Sequence, residues 1–181
     1  RVVRGGGTGA AGPGALAGTI EMDSAAPDEL AGLSARLAYG SRDGIAAFAG
    51  IGLPLGAGFL SASGAWARGD GFVPVIAAQR GAADRPSPYR QGSFALRAVA
   101  PVTGSAELQA NFGAFTDRRE RGTAFSAIAT DGADASLRLV GRGRLPFSAL
   151  VYVQTRDFSN LFAAANADRL GLLALASNSF L

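Results

Sequence analysis

The sequence predicts an all-β protein whose strands form part of an antiparallel, membrane-spanning wall. Three observations carry this. From Leu33 onward, short segments alternate apolar and polar residues with a period of two, the mark of strands with one apolar face. Turn signals separate the segments, and the connections alternate between short and long, as in barrels that cross an outer membrane. Hydrophobic residues make up 48% of the chain, yet no apolar run approaches the roughly 20 residues of a transmembrane helix. The most apolar window, Leu170 to Ala176, is far too short.

The first residues, Arg1 to Asp23, are dominated by Gly and Ala between two apolar pieces, Val2-Val3 and Leu16 to Met22. Glycine density and Pro13 argue against a helix here. A tight glycine turn followed by a strand through Leu16, Gly18, Ile20 and Met22 fits better. Gly7 to Gly12 match the G-x-G-x-x-G pattern of dinucleotide sites. That site needs a helix opening at the glycines, and Pro13-Gly14 follow instead with no βαβ unit after them. The chain contains no Lys, which excludes a Walker A loop.

Seven alternating segments follow. Leu33, Ala35, Leu37 and Tyr39 form one face of the first, and Ser41-Arg42-Asp43-Gly44 turns the chain, with Asp-Gly a strong hairpin signal. Ile45 to Leu53 returns, and Pro54 to Gly58 turns again. Phe59 to Arg68 places Leu60, Ala62, Gly64 and Trp66 together. Residues 69 to 92, with Pro74, Pro86 and Pro88, read as a long loop. Ser93 to Ala100 is the fourth strand, Pro101 to Ser105 a turn, and Leu108 to Phe115 the fifth strand. Thr116 to Asp134 read as a second long polar region. Ala135 to Arg142 and Phe147 to Gln154 complete the set around a turn at Gly143 to Pro146. One face of these strands is Leu, Ala, Phe and Val. The other carries Arg36, Arg97, Gln109, Asn111, Arg138, Arg142 and Gln154, the split expected between lipid and a wet lumen.

Composition removes several classes of function. There is no Cys, hence no disulfide scaffold and no thiolate metal site. There is no His, which removes the usual general base and the commonest metal ligand. No carboxylate pair is spaced for acid–base work, so neither an enzyme nor a cofactor is expected. All 17 basic residues are Arg and are scattered, and the net charge is only +3, so no nucleic-acid partner is expected.

The glycine-rich segment carries a family resemblance. Arg4-Gly5-Gly6-Gly7, then Gly12-Pro13-Gly14-Ala15-Leu16-Ala17-Gly18-Thr19-Ile20, resembles the end of the plug domain of TonB-dependent outer-membrane receptors. In that family an R-G-small segment leads to a G-s-g-A-L-g-G-v-I strand, and the transmembrane barrel follows. Later pieces are similar to stretches after the plug: Gly69-Asp70-Gly71-Phe72, Arg80-Gly81, Asp84-Arg85-Pro86, Ser136-Leu137-Arg138-Leu139 and Tyr152 to Phe158. The likeness covers about residues 1–169 and fades after Asp168-Arg169. It implies the C-terminal end of a plug at 1–24 and the N-terminal part of a barrel at 25–181, about seven or eight strands in all. Family members continue through many more strands, so an internal or truncated fragment is expected, with the last dozen residues departing from barrel sequence.

The resemblance also implies a function: energy-coupled uptake across the outer membrane of a scarce solute such as a siderophore-bound iron, haem, a cobalamin or a glycan. The expected partners are outer-membrane lipid and lipopolysaccharide, the solute, and the TonB complex acting on upstream segments. Ligand contacts in such receptors come from plug apices and long outer loops. The candidates are Phe72, Arg80, Arg85, Tyr89 and Arg90 on the first long loop and Arg118, Arg119 and Arg121 on the second. Guanidinium groups can grip carboxylate or phosphate bidentately; loop arginines also meet water, lipopolysaccharide phosphates or nearby Asp and Glu. Two other classes share the strand pattern. One is a passive porin-like or autotransporter-type barrel, which needs no plug end. The other is a soluble β-sandwich binding module, which predicts the alternation but not the loop asymmetry.

Overall fold

The computed structural model describes residues 2–4, 18–20 and 25–180. The G-x-G-x-x-G match and most of the plug-like segment lie outside them. The chain divides into two compact units, Arg1–Leu30 and Ala31–Leu181. In the first, β1 (Val2–Arg4) pairs antiparallel with β2 (Gly18–Ile20), Val2 opposite Ile20 and Arg4 opposite Gly18. A single helical turn, α1 (Pro27–Leu30), begins with Pro at its first position, where the missing N–H costs nothing. Glu29 reaches back to accept the Ala26 N–H at 2.9 Å, half of a capping box.

The second unit is all-β. Its strands are β3 (Gly32–Gly40), β4 (Gly44–Leu55), β5 (Gly58–Gly69), β6 (Tyr89–Thr103), β7 (Ala106–Glu120), β8 (Ala127–Gly141), β9 (Phe147–Ala165) and β10 (Leu172–Phe180). They form one eight-stranded antiparallel sheet in chain order, each strand paired with its sequence neighbours. The sheet is open: β3 and β10 each have a partner on one side only.

Register turns eight separate alternations into two coherent faces. Leu33, Ile51, Ala62, Leu96, Phe112, Ala135 and Val153 stand abreast in one row. The next row on the same face is Leu53, Leu60, Ala98, Ala110, Leu137 and Val151. Between them, on the opposite face, lie Ser61, Arg97, Asn111, Ser136 and Tyr152. A one-residue slip in any pairing would exchange the faces.

The apolar face is uncovered. Among the described hydrophobic residues only Phe59, Ala67 and Ala83 are buried, whereas Leu37 is 78% exposed and Val151 65%. Within Ala31–Leu181 the described strands form a single sheet, whereas a sandwich requires two. At the loop end the face turns polar. Trp66, Gly92, Thr116, Asp131 and Asp157 form one row, and Arg68, Arg90, Arg118, Ala129 and Ser159 the next.

The connections at one sheet end are residues 56–57, 104–105 and 142–146; at the other they are 41–43, 70–88, 121–126 and 166–171. The expected second long loop at 116–134 is corrected. β7 runs on to Glu120 and β8 begins at Ala127, with Thr116 opposite Asp131 and Arg119 opposite Ile128. Backbone pairing continues past the apolar zone because ladder hydrogen bonds do not require apolar side chains. The first long loop likewise ends at Pro88, since β6 starts at Tyr89. Pro101 lies within β6 rather than in a turn, beside a register shift between Pro101 and Thr103 that tolerates the missing N–H. Residues 172–180 form β10 and pair with β9.

Gly58 begins β5, and a Cβ there would press into the Val99 backbone carbonyl. Gly58→Ala is expected to destabilise the sheet by about 1–3 kcal/mol through overpacking. Gly104→Ala, in open space, is expected to be neutral. Equilibrium urea unfolding of both variants checks this.

Candidate functional site

The candidate site is the loop end of the sheet, where 70–88 folds against 121–126 and 166–171. Its centre is Asp84. The carboxylate is buried, with no exposed side-chain surface, and accepts the Arg169 Nε–H at 2.8 Å and the Gly81 N–H at 2.8 Å. Arg169 Nη2 donates to the other oxygen, completing a two-pronged contact between residues 85 apart in sequence. The Arg169 guanidinium, with the Gly81 N–H, holds the Asp84 carboxyl at about 2, against burial, which pushes the other way.

Backbone bonds surround this pair. The Ala83 N–H donates to the Arg169 carbonyl at 2.8 Å, and the Arg85 N–H to the Gly122 carbonyl at 2.9 Å. Asp84 also forms a β-bridge with Thr123. Gly81 lies so close to the Arg169 backbone that a Cβ would collide with it. Gly122, with φ of 80°, sits against Pro74 in a conformation that favours glycine. The Ser87 N–H donates to the Phe72 carbonyl at 3.0 Å, closing the base of the 70–88 loop. The predicted loop is thus a pinned structure.

The structure distributes the sequence-predicted residues. Phe72 is exposed on the loop, with the Arg42 guanidinium 5.8 Å from its ring centre. Arg80 donates from Nε and Nη2 to the Val75 carbonyl, and Arg85 from Nη1 to the Ala82 and Asp84 carbonyls. These two guanidiniums therefore brace their own loop. Tyr89 and Arg90 are the first residues of β6 rather than part of the loop.

Arg118 and Arg119 also lie on a strand, so consecutive side chains point to opposite faces. Arg118 is beside Arg90 on the apolar side and pairs with Asp131, its Nη1 3.0 Å from Oδ1. Arg119 is opposite Tyr89 on the polar side; its Nε donates to Asp117 at 2.8 Å and its Nη2 to Gln91 at 3.1 Å. Arg121, in the following loop, stacks 5.2 Å over the Phe162 ring. The apparent Arg118-Arg119-Arg121 cluster is therefore three separate sites. A depression of about 400 Å³ borders Tyr89, Arg90, Arg118 and Arg119, but register divides those side chains between two faces.

Asp84 and Arg169 were not among the predicted site residues. The Asp84-Arg85-Pro86 and Asp168-Arg169 pieces were visible, but nothing local links them. Among the described residues no group of three or more Asp or Glu is placed to hold a metal ion. Compared with known proteins, the chain matches no family model, no curated protein and no solved structure.

Because the Asp84 carboxyl is depressed from 3.8 to about 2, its contribution to loop stability is complete above about pH 4 and is lost as pH falls through about 2. Asp84→Asn is expected to bring that loss to neutral pH. Limited proteolysis within 70–88 should run severalfold faster in the variant than in the wild type at pH 7, with β-sheet circular dichroism unchanged.

Proposed function

We propose that residues 25–181 form part of a transmembrane β-barrel wall in an outer membrane, and that the chain belongs to a TonB-dependent receptor. The observation that carries the barrel reading is the contiguous, uncovered apolar face of a single open sheet, opposite a polar one. In water such a face forgoes about 25 cal/mol for every Å² of apolar surface left wet; hydrocarbon removes that cost. From Phe94 to Val102, β6 advances about 27 Å, the same scale as the roughly 25 Å apolar band of barrel walls. Trp66 and the arginine row above it then fall at the headgroups, where barrels carry aromatic girdles. The polar face lines the lumen. The hairpins at 56–57, 104–105 and 142–146 face the periplasm, and 70–88 faces outward.

The unpaired edges of β3 and β10 fit the same reading. Each open N–H or C=O in lipid costs several kcal/mol, so both edges call for further strands. Plugged transporters have about 22 strands.

The receptor identity rests on the sequence resemblance between Arg4 and Ile20 and on the ordered pieces after it. Its mechanism is energy-coupled uptake without chemistry on the solute. The inner-membrane complex pulls on the plug, and the outer loops present the ligand-contacting groups. Of the predicted candidates, Phe72 and Arg121 are the ones whose side chains project from loops without bracing them through hydrogen bonds.

Two measurements test this. Leu96→Arg, in the middle of the apolar face, is expected to cost about 2–4 kcal/mol in bilayers, while Ser61→Arg on the opposite face stays near neutral; equal effects would remove the lipid-facing assignment. Cells carrying the intact gene should accumulate one of labelled ferric siderophore, haemin or cobalamin, or a labelled glycan, and a protonophore should abolish it. Accumulation indifferent to the protonophore would mean a passive barrel.

A further inference from the structure

On the polar face, two neighbouring rows run across β3 to β7. Arg36, Phe48, Ala65, Ser93 and Phe115 stand abreast in one, and Ala38, Ala46, Ala67, Gln91 and Asp117 in the next toward the loop end. Phe48 and Phe115 are three strand intervals apart, roughly 14 Å at the usual spacing. Between them lie only small side chains. Both rings lean onto glycines, Phe48 toward Gly50 and Phe115 toward Gly132, where an added Cβ would meet them. That clears the space above Ala65 and Ser93. The result is a depression of about 450 Å³, lined by both rings and by Arg36, Gln91 and Asp117. Its volume is in the range of small-molecule sites.

The charges around it are unevenly matched. Asp117 accepts the Arg119 Nε–H at 2.8 Å, and Arg119 Nη2 also donates to Gln91 at 3.1 Å. Arg36, among the described residues, has no ion pair and no hydrogen bond. The depression therefore presents one uncompensated guanidinium beside a flat bed of methyl groups with aromatic sides. One guanidinium matches one monoanion, and its fork fits a carboxylate bidentately. A flat aromatic body suits the bed, because rings pack offset or edge-to-face against Phe.

We propose that this depression binds a small aryl carboxylate, its carboxylate gripped by Arg36 and its ring seated on Ala46 and Ala65 between Phe48 and Phe115. The site goes beyond the receptor reading and does not rest on it. Strands alone build it, and the polar face meets water whether or not the opposite face meets lipid.

The test is equilibrium dialysis of naphthoate, and of its neutral alcohol naphthylmethanol, against the full chain in phosphatidylcholine nanodiscs, with empty nanodiscs as the blank. The wild type is expected to bind naphthoate saturably, and the alcohol at least about tenfold more weakly, as for loss of a charge-assisted bidentate contact. Arg36→Gln should weaken naphthoate by the same factor and leave the alcohol unchanged. Ala65→Leu, which fills the bed, should abolish both, and Arg138→Gln, on the same face outside the depression, should alter neither. Excess acetate should not displace naphthoate. Equal wild-type affinity for acid and alcohol overturns the proposal without any variant, as does undiminished naphthoate binding by Arg36→Gln. A wild type that inserts but binds no more naphthoate than empty nanodiscs overturns it and leaves the membrane wall intact. A wild type that stays in water without lipid, yet binds naphthoate through Arg36, upholds the site and sinks the wall.

Discussion

The eight strands keep their apolar residues on one side because the pairing never slips by a single residue across the body of the sheet. From β3 to β9 each row of partners preserves side-chain direction, so that Leu33 and Val153, six strands apart, face the same way. The register shifts occur near Pro101 and Leu172, at strand ends. Everything else follows from that coherence: one face suited to hydrocarbon, one suited to water, and a polar border where the strands outrun the apolar zone. Two-residue connections at 56–57 and 104–105 help fix the register, and Gly56, with φ of 62°, supplies the left-handed conformation one of them needs.

The loop end is held by a different kind of contact. Asp84 and Arg169 join distant loops through an ion pair whose carboxylate is buried and whose guanidinium is partly exposed, and close backbone approaches at Gly81 and Gly122 leave little room for alternatives. Such a pair contributes less through its own attraction than through the cost of leaving the buried Asp84 carboxylate alone. It fixes 70–88 against 166–171, while the Asp84–Thr123 bridge and the Arg85 N–H to Gly122 carbonyl bond hold 121–126 beside them, and together these contacts set where Phe72 and the Arg121 side chain are displayed. On the polar face, the Arg97 guanidinium lies over the Phe59 ring and that of Arg156 over the Phe115 ring.

Much of the sheet is legible in the sequence, because alternation survives wherever one face is apolar. Leu33 to Tyr39 and Phe94 to Ala100 announce their strands residue by residue. Legibility stops where the strands leave the apolar zone. Thr116, Asp117 and Arg118 look like loop residues, yet they pair as regularly as the residues below them. That error also made Arg118 and Arg119 look like one basic cluster, when period-two geometry sends them apart. The arginine row is hidden for the opposite reason: its members are far apart in sequence, and only register assembles them. Asp84 and Arg169 carry no local signal of each other.

Trp66, the single tryptophan of the chain, reports directly on what the apolar face touches. The decisive measurement is the fluorescence difference between wild type and Trp66→Phe in bilayers, with quenching by lipids brominated along the acyl chain and by aqueous acrylamide. A lipid-facing wall predicts strong quenching of the Trp66 component by acyl bromines, greatest for those nearest the headgroup, and weak quenching by acrylamide. Strong acrylamide quenching with no effect of brominated lipid would place this face in water and contradict the membrane wall.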